Sequence, residues 1–153
     1  MWCHQGDVLL SDDNAMMQLD VIHGFLSQSY WAAGISRAQV GKALAGSYCF
    51  GLFKGNQQIA FGRLITDKAT FAYLADVFVL PEYRGLGLAK WMLGEVFAQP
   101  WAQALRRLLL ATRDAHPLYR QLGFTAPAAP QNLMEVHRPA IYQNCTHTIK
   151  ESL

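Results

Sequence analysis

The sequence predicts an α/β fold, in which helices and strands pack in layers around a mixed β-sheet, and three observations carry this prediction. Two apolar runs flank Gly55-Asn56, a two-residue connection typical of a tight antiparallel hairpin. A longer apolar run over residues 69–80 is typical of a central strand. Helical and strand patterns then alternate, which favours a crossover connection after the hairpins.

The elements before residue 47 are predicted from capping residues and apolar spacing. A first strand is expected near residues 8–10. A first helix is expected over residues 15–27, with two apolar rows that make its hydrophobic face unusually wide. This wide face suits either a pocket wall or a dimer contact. Ser36, with Gln39 three positions later, has the capping-box pattern that begins a second helix.

The later elements follow the same signals. Asp114 is a candidate cap for a short helix that Gly123 would end. The predicted strands cover residues 47–54, 57–66, 69–80, 105–112 and 133–136, and the predicted helices cover residues 88–98 and 115–122.

The composition fits one compact domain. The chain has 153 residues, of which 52% are hydrophobic, enough for a core but too few for two ordinary domains. No apolar run approaches the ~20 residues of a membrane-spanning helix, and the first ten residues lack the pattern of a secretory signal. We expect a domain over residues 1–137, a loosely held tail over 138–153, and no membrane partner.

Cysteine spacing and net charge narrow the class of protein. Cys3, Cys49 and Cys145 are widely spaced, which suits free thiols in a reducing compartment, so a cytoplasmic location is expected. They show no clustering of the kind that binds zinc, so no metal site is expected. A formal net charge of +2 is too small for charge alone to indicate a nucleic-acid partner.

The stretch RGLGLA, residues 84–89, stands between the long strand and a predicted helix. A helix N-terminus has unpaired N–H groups and partial positive charge. Glycines let a ligand approach the backbone, and the arginine adds a charged donor for phosphate oxygens. The pattern is typical of a pyrophosphate-binding loop, unless the glycines only form a tight turn. It matches neither a Walker loop nor a dinucleotide fingerprint, whose third glycine is replaced by Lys90.

Two motifs together resemble the GNAT superfamily of acyl-CoA-dependent N-acyltransferases. RGLGLA is similar to the family's [Q/R]xxGx[G/A] signature, and VFVLPEY before it is similar to the family's strand-end segment. AHPLYRQLGF is similar to the signature A-x-x-x-Y-x-x-x-G-F, in family order and spacing. The resemblance spans residues 8–136 and implies a mixed, mostly antiparallel sheet with helices on both faces. SYWAAGIS also resembles one branch of small stand-alone members.

The resemblance implies that acetyl-CoA is the acyl donor. Arg84 and five backbone N–H groups would hold the CoA pyrophosphate; these belong to Gly85, Leu86, Gly87, Leu88 and Ala89. Three residues of the preceding strand would pair with the pantetheine arm and polarise the thioester carbonyl; these are Val77, Phe78 and Val79. Tyr119 matches the tyrosine that protonates the leaving thiolate in many members. Asp114 stands where many members have an asparagine facing pantetheine, although an ionised carboxylate cannot donate a hydrogen bond.

Asp76 is the one charged residue in the run FAYLADVFVL. Strand alternation places it on the face of Leu74 and Phe78, where an unpaired carboxylate would be costly. It is a candidate to accept the proton of the attacking amine or to hold the ammonium form. The alternative is a structural partner for an arginine or for backbone donors.

Four residues near the first helix are candidates for the acceptor site. Phe25, Tyr30 and Trp31 lie where the family's helix pair closes over the acceptor, although core packing explains aromatic residues equally well. His23 could move a proton near neutral pH, but a histidine on a broad apolar face is more often packed in a core.

The resulting hypothesis is an N-acetyltransferase that moves acetyl from acetyl-CoA to a primary amine, by direct attack in a ternary complex. A small-molecule acceptor is favoured over a protein N-terminus or lysine. A non-catalytic acyl-CoA sensor and a nucleotide-binding or phosphate-binding regulator remain alternatives. The oligomeric state stays open, with a homodimer as one option.

Overall fold

The structure, a computed structural model, describes residues 2–143. The strands of this part are β1 (Trp2–Gln5), β2 (Val8–Ser11), β3 (Tyr48–Lys54), β4 (Gln57–Thr66), β5 (Phe71–Val79) and β6 (Arg107–Leu110). The helices are α1 (Leu19–Leu26), α2 (Arg37–Ala45), α3 (Leu88–Phe97), α4 (Pro100–Gln103) and α5 (His116–Gln121). The six strands form one sheet in chain order, antiparallel from β1 to β5 and parallel between β5 and β6. The predicted mixed sheet is confirmed.

Two hydrophobic clusters cover the two faces of the sheet. The first, which we call the α3 face, includes Phe50, Leu52, Leu64, Met92 and Val96. The second, the α1–α2 face, includes Ile22, Leu26, Val40, Phe61 and Phe78. Neighbouring residues of the central strands alternate between the two clusters, as side chains of a pleated strand do. Helices therefore cover both faces, as the resemblance implied.

Local sequence signals located several elements correctly. Ser36 Oγ accepts a hydrogen bond from the Gln39 backbone N–H at 3.1 Å and so caps α2. Gly55 has φ 59° in the β3–β4 turn, and Gly123 has φ 96° just after α5. The helix α4, which begins at Pro100, was not predicted and lies where the sequence suggested only the end of α3.

The predicted start of the first helix is wrong. Residues 14–16 form a separate 3₁₀ turn, and α1 begins only at Leu19. The Gln18 backbone N–H donates to Gln58 Oε1 at 2.7 Å, and the Gln58 N–H donates to Gln18 Oε1 at 3.0 Å. This reciprocal pair ties the chain to β4 in an extended conformation. A tertiary contact therefore overrides the helical pattern here.

The strand predicted over residues 133–136 is also absent. A 3₁₀ turn at Pro130–Asn132 precedes an irregular stretch in which the Met134 side chain is 97% exposed. The chain then returns to the α1–α2 face, where Tyr142 packs on the second cluster and Gln143 Nε2 donates to the Ala33 carbonyl at 3.1 Å. Tyr142 and Gln143 of the expected tail therefore contact the domain, and residues 144–153 lie outside the described part of the chain.

The described residues contain no helix long and apolar enough to cross a membrane. Within the same residues, no group of three or more His, Cys, Asp or Glu side chains is arranged to hold a metal ion. The thiols of Cys3 and Cys49 are free, and Cys145 lies outside the described part.

Candidate functional site

The loop before α3 has the geometry of an anion cradle. Gly85 and Gly87 have φ of 81° and 73°, in the left-handed region that L side chains rarely adopt. A Cβ built on either glycine meets no atom within 4 Å, so the space above the loop is open. The first hydrogen bond of α3 runs from Trp91 N to Gly87 O, which leaves the N–H groups of residues 88–90 without a helical acceptor. These donors and the helix dipole face the open space.

A cavity of about 370 Å³ adjoins this loop. Arg84 lies at its edge, exposed, and its Nε donates to the Val79 carbonyl at 3.0 Å, so one of its five N–H donors is used. The cavity is lined by Val79, Tyr83, Arg84, Gly85, Gly87, Leu88, Ala89, Lys90, Leu118 and Gln121. It extends from the N-terminus of α3 to α5, the helix that carries Tyr119.

Strands β5 and β6 separate to form a fork beside this cavity. Their parallel pairing runs from Phe71–Arg107 to Leu74–Leu110 and ends there. Strand β5 continues for five more residues, of which Ala75, Phe78 and Val79 pair with β4 on the other side. Within the described residues no strand pairs with this last part of β5 on the fork side. An extended ligand could therefore align with its backbone.

A β-bulge in β5 overturns the predicted face of Asp76. Phe61 pairs with Phe78 and Arg63 pairs with Ala75, so two residues of β5 lie opposite Gly62. Asp76 has φ 59°, which is uncommon for a residue other than glycine. The extra residue breaks the alternation, so Leu74 belongs to the α3 face and Phe78 to the α1–α2 face. Asp76 lies with Phe78, not with Leu74.

The Asp76 carboxylate has two side-chain partners. Its Oδ2 accepts a hydrogen bond from Arg63 Nε at 2.6 Å, and its Oδ1 accepts one from Trp31 Nε1 at 2.8 Å. The Arg63 and Asp76 side chains are only 16% and 12% exposed. Arg63 also donates through Nη1 to Ser47 Oγ at 2.9 Å. The arginine partner that the sequence left as an alternative is therefore present.

Tyr119 lies in α5, half-buried against the α3 face, with its ring edge-on to Phe124. Burial raises the pKa of its phenol above the usual 10.0, and the nearby Tyr30 and Asp114 raise it further. The phenol therefore keeps its proton at neutral pH, as a general acid must. The Arg113 N–H donates to the Tyr30 hydroxyl at 3.4 Å, so the loop between α1 and α2 lies near the segment that leads into α5.

Asp114 does not cap α5, which corrects the sequence prediction. The Ala115 N–H donates instead to Thr112 Oγ1 at 3.0 Å, and Asp114 is exposed. Asp114 remains close enough to raise the pKa of Tyr119. Thr112 follows the end of β6, and its hydroxyl keeps a proton that it can donate.

The predicted aromatic residues of the acceptor site form one group. Phe25 stacks on Phe78 with ring centroids 4.2 Å apart, and Trp31 lies 6.3 Å from Phe25 and 5.0 Å from Tyr30. The Arg113 guanidinium lies 3.8 Å from the Tyr30 ring centroid. Tyr30 and Trp31 are 50% and 41% exposed, so they form a rim rather than a buried core.

His23 stands apart from this group. Its Nε2 lies 3.0 Å from the Ile35 carbonyl oxygen, which can only accept, so this nitrogen carries the proton. No contact in the described residues links the imidazole to Trp31, Asp76 or Tyr119. A structural role for His23, which the sequence left open as an alternative, fits this hydrogen bond.

Sequence reasoning missed Arg63, Ser47 and Thr112. A signal existed for the first: Arg63 is the one charged residue in the buried part of β4, and Asp76 is the one charged residue of β5. Opposite charges in two adjacent apolar strands suggest an ion pair, because a lone buried charge is costly.

A second cavity, of about 470 Å³, lies away from the fork. It is lined by residues of α4, of β6 and of the segment after α5.

Comparisons with known proteins identify the family of this chain. Residues 45–126 match the model of the acetyltransferase (GNAT) domain, which covers both the cradle and Tyr119. A protein of Gibberella zeae named as an acetyltransferase is 34% identical over 141 residues, covering 78% of this chain and 80% of that protein. The [ribosomal protein bS18]-alanine N-acetyltransferase of Haemophilus influenzae is 32% identical over 78 residues, covering 48% of this chain and 51% of that protein.

A solved structure gives the same result over nearly the full length. A crystal structure from Xanthomonas campestris pv. campestris, assigned to the GNAT family of acetyltransferases, is 49% identical. It superposes with a TM-score of 0.87 and covers 91% of this chain and 99% of that one. The sequence match and the shared fold lead to one conclusion: this chain belongs to the GNAT family of acetyltransferases.

Proposed function

We propose that the protein transfers the acetyl group of acetyl-CoA to the primary amine of a small molecule, by direct attack within a ternary complex. The observation that carries this proposal is the fork between β5 and β6. The anion cradle opens on the α3 face beside it, and the aromatic rim lies on the α1–α2 face beside it. Two substrates can therefore enter from opposite faces and meet at Tyr119 without either having to leave first.

The cradle and the end of β5 bind acetyl-CoA in this proposal. Arg84 and the N–H groups of residues 85–89 hold the pyrophosphate, because the helix start offers several donors to one anion. The backbone of residues 77–79 pairs with the pantetheine arm as an added strand, since no strand of the described residues pairs with it on the fork side. A backbone N–H of the same segment polarises the thioester carbonyl.

Tyr119 supplies the proton for the leaving group. The amine nitrogen attacks the thioester carbonyl carbon, a C–N bond forms and the C–S bond breaks. The thiolate of CoA then takes the phenolic proton of Tyr119, and the amine gives up a proton to water or to a base. The raised pKa of Tyr119 supports this role, and Asp114 contributes by raising it.

The amine side is formed by Phe25, Tyr30, Trp31 and Asp76. The aromatic rings provide an exposed, flat rim that suits the apolar part of a small acceptor. His23 is left out of this set because its ring is bonded to the Ile35 carbonyl.

A peptide N-terminus is the second candidate acceptor. The similarity to a ribosomal-protein alanine N-acetyltransferase supports it, and so does the exposure of Tyr30 and Trp31 at the rim. A panel that contains small amines and short peptides with free N-termini separates the two acceptor classes.

The first test is a calorimetric titration of the protein with acetyl-CoA and no amine. We expect saturable binding that Arg84→Ala and Gly87→Val weaken by about tenfold, through the lost charge and the strained loop. Gly94→Ala is the matched control, since Gly94 lies in α3 with no atom within 4 Å of a built Cβ and no positive φ. Absence of binding by the unchanged protein would refute the proposal.

The second test is turnover of the amine panel, followed by chromatography of the CoA released. Acetylation of small amines but not peptides supports the proposal as stated. Acetylation of peptides alone would favour the second candidate. Acetyl-CoA binding without turnover of any amine would favour an acyl-CoA sensor.

A further inference from the structure

We propose that Ser47, Arg63 and Asp76 form a strut that positions Trp31 as a wall of the acceptor site, and that Asp76 is a positioning residue there. This inference rests on the proposed function, because it assigns a role within the acceptor site. The name strut refers to the chain of hydrogen bonds Ser47–Arg63–Asp76–Trp31.

The strut joins two strands, and the residue just before a third, to one loop. Ser47 directly precedes β3, Arg63 lies in β4, Asp76 lies in β5, and Trp31 belongs to the loop between α1 and α2. The three bonds measure 2.9, 2.6 and 2.8 Å from Ser47 to Trp31. The contacts therefore tie the loop to the two central strands β4 and β5.

The middle of the strut is buried, and its Trp31 end is exposed. The Arg63 and Asp76 side chains are 16% and 12% exposed, whereas Trp31 is 41% exposed. The guanidinium and carboxylate balance each other's charge in a place where either alone would be costly. Arg63 therefore holds Asp76, and Asp76 in turn holds the indole of Trp31 at the solvent-facing rim.

The backbone at Asp76 aims its side chain along this line. Its left-handed conformation, φ 59°, belongs to the β-bulge that places Asp76 on the α1–α2 face. Such conformations outside glycine are sparsely populated and persist where the surroundings hold them. Both carboxylate oxygens already accept a hydrogen bond from the protein, which suits a group that holds another residue.

Trp31 connects the strut to the rest of the aromatic rim. Its ring meets Phe25 on one side and Tyr30 on the other, and Tyr30 reaches the region after β6 through its hydroxyl, 3.4 Å from Arg113 N. Fixing the indole therefore fixes the boundary of the acceptor site next to the fork. The expected role is a lower KM for the acceptor with little effect on the chemical step.

The test uses the indole N–H signal of Trp31 in a ¹⁵N NMR spectrum, assigned by its loss in Trp31→Phe. Arg63→Gln should move this signal and speed its exchange with solvent by about tenfold, because the carboxylate is no longer fixed. Arg37→Gln is the matched control: Arg37 Nε donates to Asp20 at 2.8 Å on the same side of the molecule, in an exposed pair. An unchanged Trp31 signal in Arg63→Gln would overturn the proposal.

A second variant covers the case in which Arg63→Gln does not fold. Asp76→Asn keeps a side chain that tolerates the left-handed conformation but removes the charge that faces Arg63. The same shift and faster exchange of the Trp31 signal are expected, and an unchanged signal would again overturn the proposal.

Kinetics separate positioning from proton transfer. With an amine that the panel identifies, Trp31→Phe and Asp76→Asn should raise the acceptor KM about fivefold while kcat changes by less than about twofold. A large fall in kcat for Asp76→Asn with an unchanged KM would instead give Asp76 the proton-transfer role. Calorimetric binding of acetyl-CoA should be the same in all these variants. Because the NMR signal needs no substrate, failure of the strut and failure of the proposed function give different results.

Discussion

At the scale of single residues, Tyr119 gives the sharpest prediction. Tyr119→Phe should lower kcat by about 10²-fold or more, because the departing thiolate loses its proton donor. Acetyl-CoA binding, measured by calorimetry, should be nearly unchanged, since the ring that packs on the α3 face remains. Tyr73→Phe is the control, because Tyr73 is also half-buried but lies upstream of the fork.

The pH dependence follows from the direction of the Tyr119 pKa shift. Burial raises this pKa above 10.0, so the phenol stays protonated and active as an acid below that pH. Any alkaline loss of kcat due to Tyr119 should therefore have its midpoint at a higher pH than the titration of an ordinary tyrosine, whose pKa is about 10. A loss near pH 8 that Tyr119→Phe abolishes would contradict this assignment.

The two halves of the site differ in how far the sequence could predict them. The cradle residues and Tyr119 occur in short, contiguous motifs whose chemistry is local, so their positions could be predicted. The strut joins Arg63 and Asp76 of two strands to Ser47, just before a third, and it depends on register and on the bulge. Strict alternation, from which the face of Asp76 was predicted, fails wherever a strand contains an extra residue.

At the scale of elements, the glycine inside α1 gives a prediction about the stability of the fold. Gly24 lies inside α1, is exposed, and has no atom within 4 Å of a built Cβ. Gly24→Ala should raise the free energy of unfolding by about 0.5–1 kcal/mol, because alanine has the higher helix propensity. A urea titration measures this change; a lower free energy of unfolding would mean that this position needs glycine for another reason.

The elements that were predicted correctly are those whose ends depend on nearby residues. The helix α3 begins at Leu88 and α2 is capped by Ser36, where glycine, serine and apolar spacing act within a few residues. The start of α1 depends instead on Gln58, forty positions away, which holds Gln18 extended. The strand expected over residues 133–136 had the right local pattern, but the chain turns to the α1–α2 face. A helix cap depends on residues within a few positions, whereas the pairing partner of a strand is distant in the sequence and cannot be predicted from its neighbours.

At the scale of the whole molecule, one sheet separates two cores. Trp101 packs on the cluster of the α3 face, and Trp31 stands on the rim of the α1–α2 face. Because both clusters are built on the same central strands, neither can persist when the sheet is lost. We therefore expect a single cooperative unfolding transition.

Indole N–H signals of Trp31 and Trp101, followed in one urea series, check this expectation. Both should disappear with the same midpoint. Two separate midpoints would mean that the helices on one face can detach while the sheet and the other face remain. Trp31→Phe and Trp101→Phe supply the two assignments, because the chain has four tryptophans.

The bulge at Asp76 divides β5 into two parts, whose side chains alternate between the two faces of the sheet in opposite order. Residues up to Leu74 point to the two faces in one order, and residues from Val77 onward point in the opposite order. Deleting Ala75 would leave one residue of β5 opposite Gly62, and the alternation would become regular while Val77, Phe78 and Val79 keep their present faces and their pairing with β4. The shortened chain should still fold, and the strand end beside the fork should keep its register, but Asp76 would lose the left-handed conformation that the bulge gives it. A single-codon deletion would thus separate the two uses of β5, since it disturbs the side chain that holds Trp31 and leaves the backbone beside the fork in place.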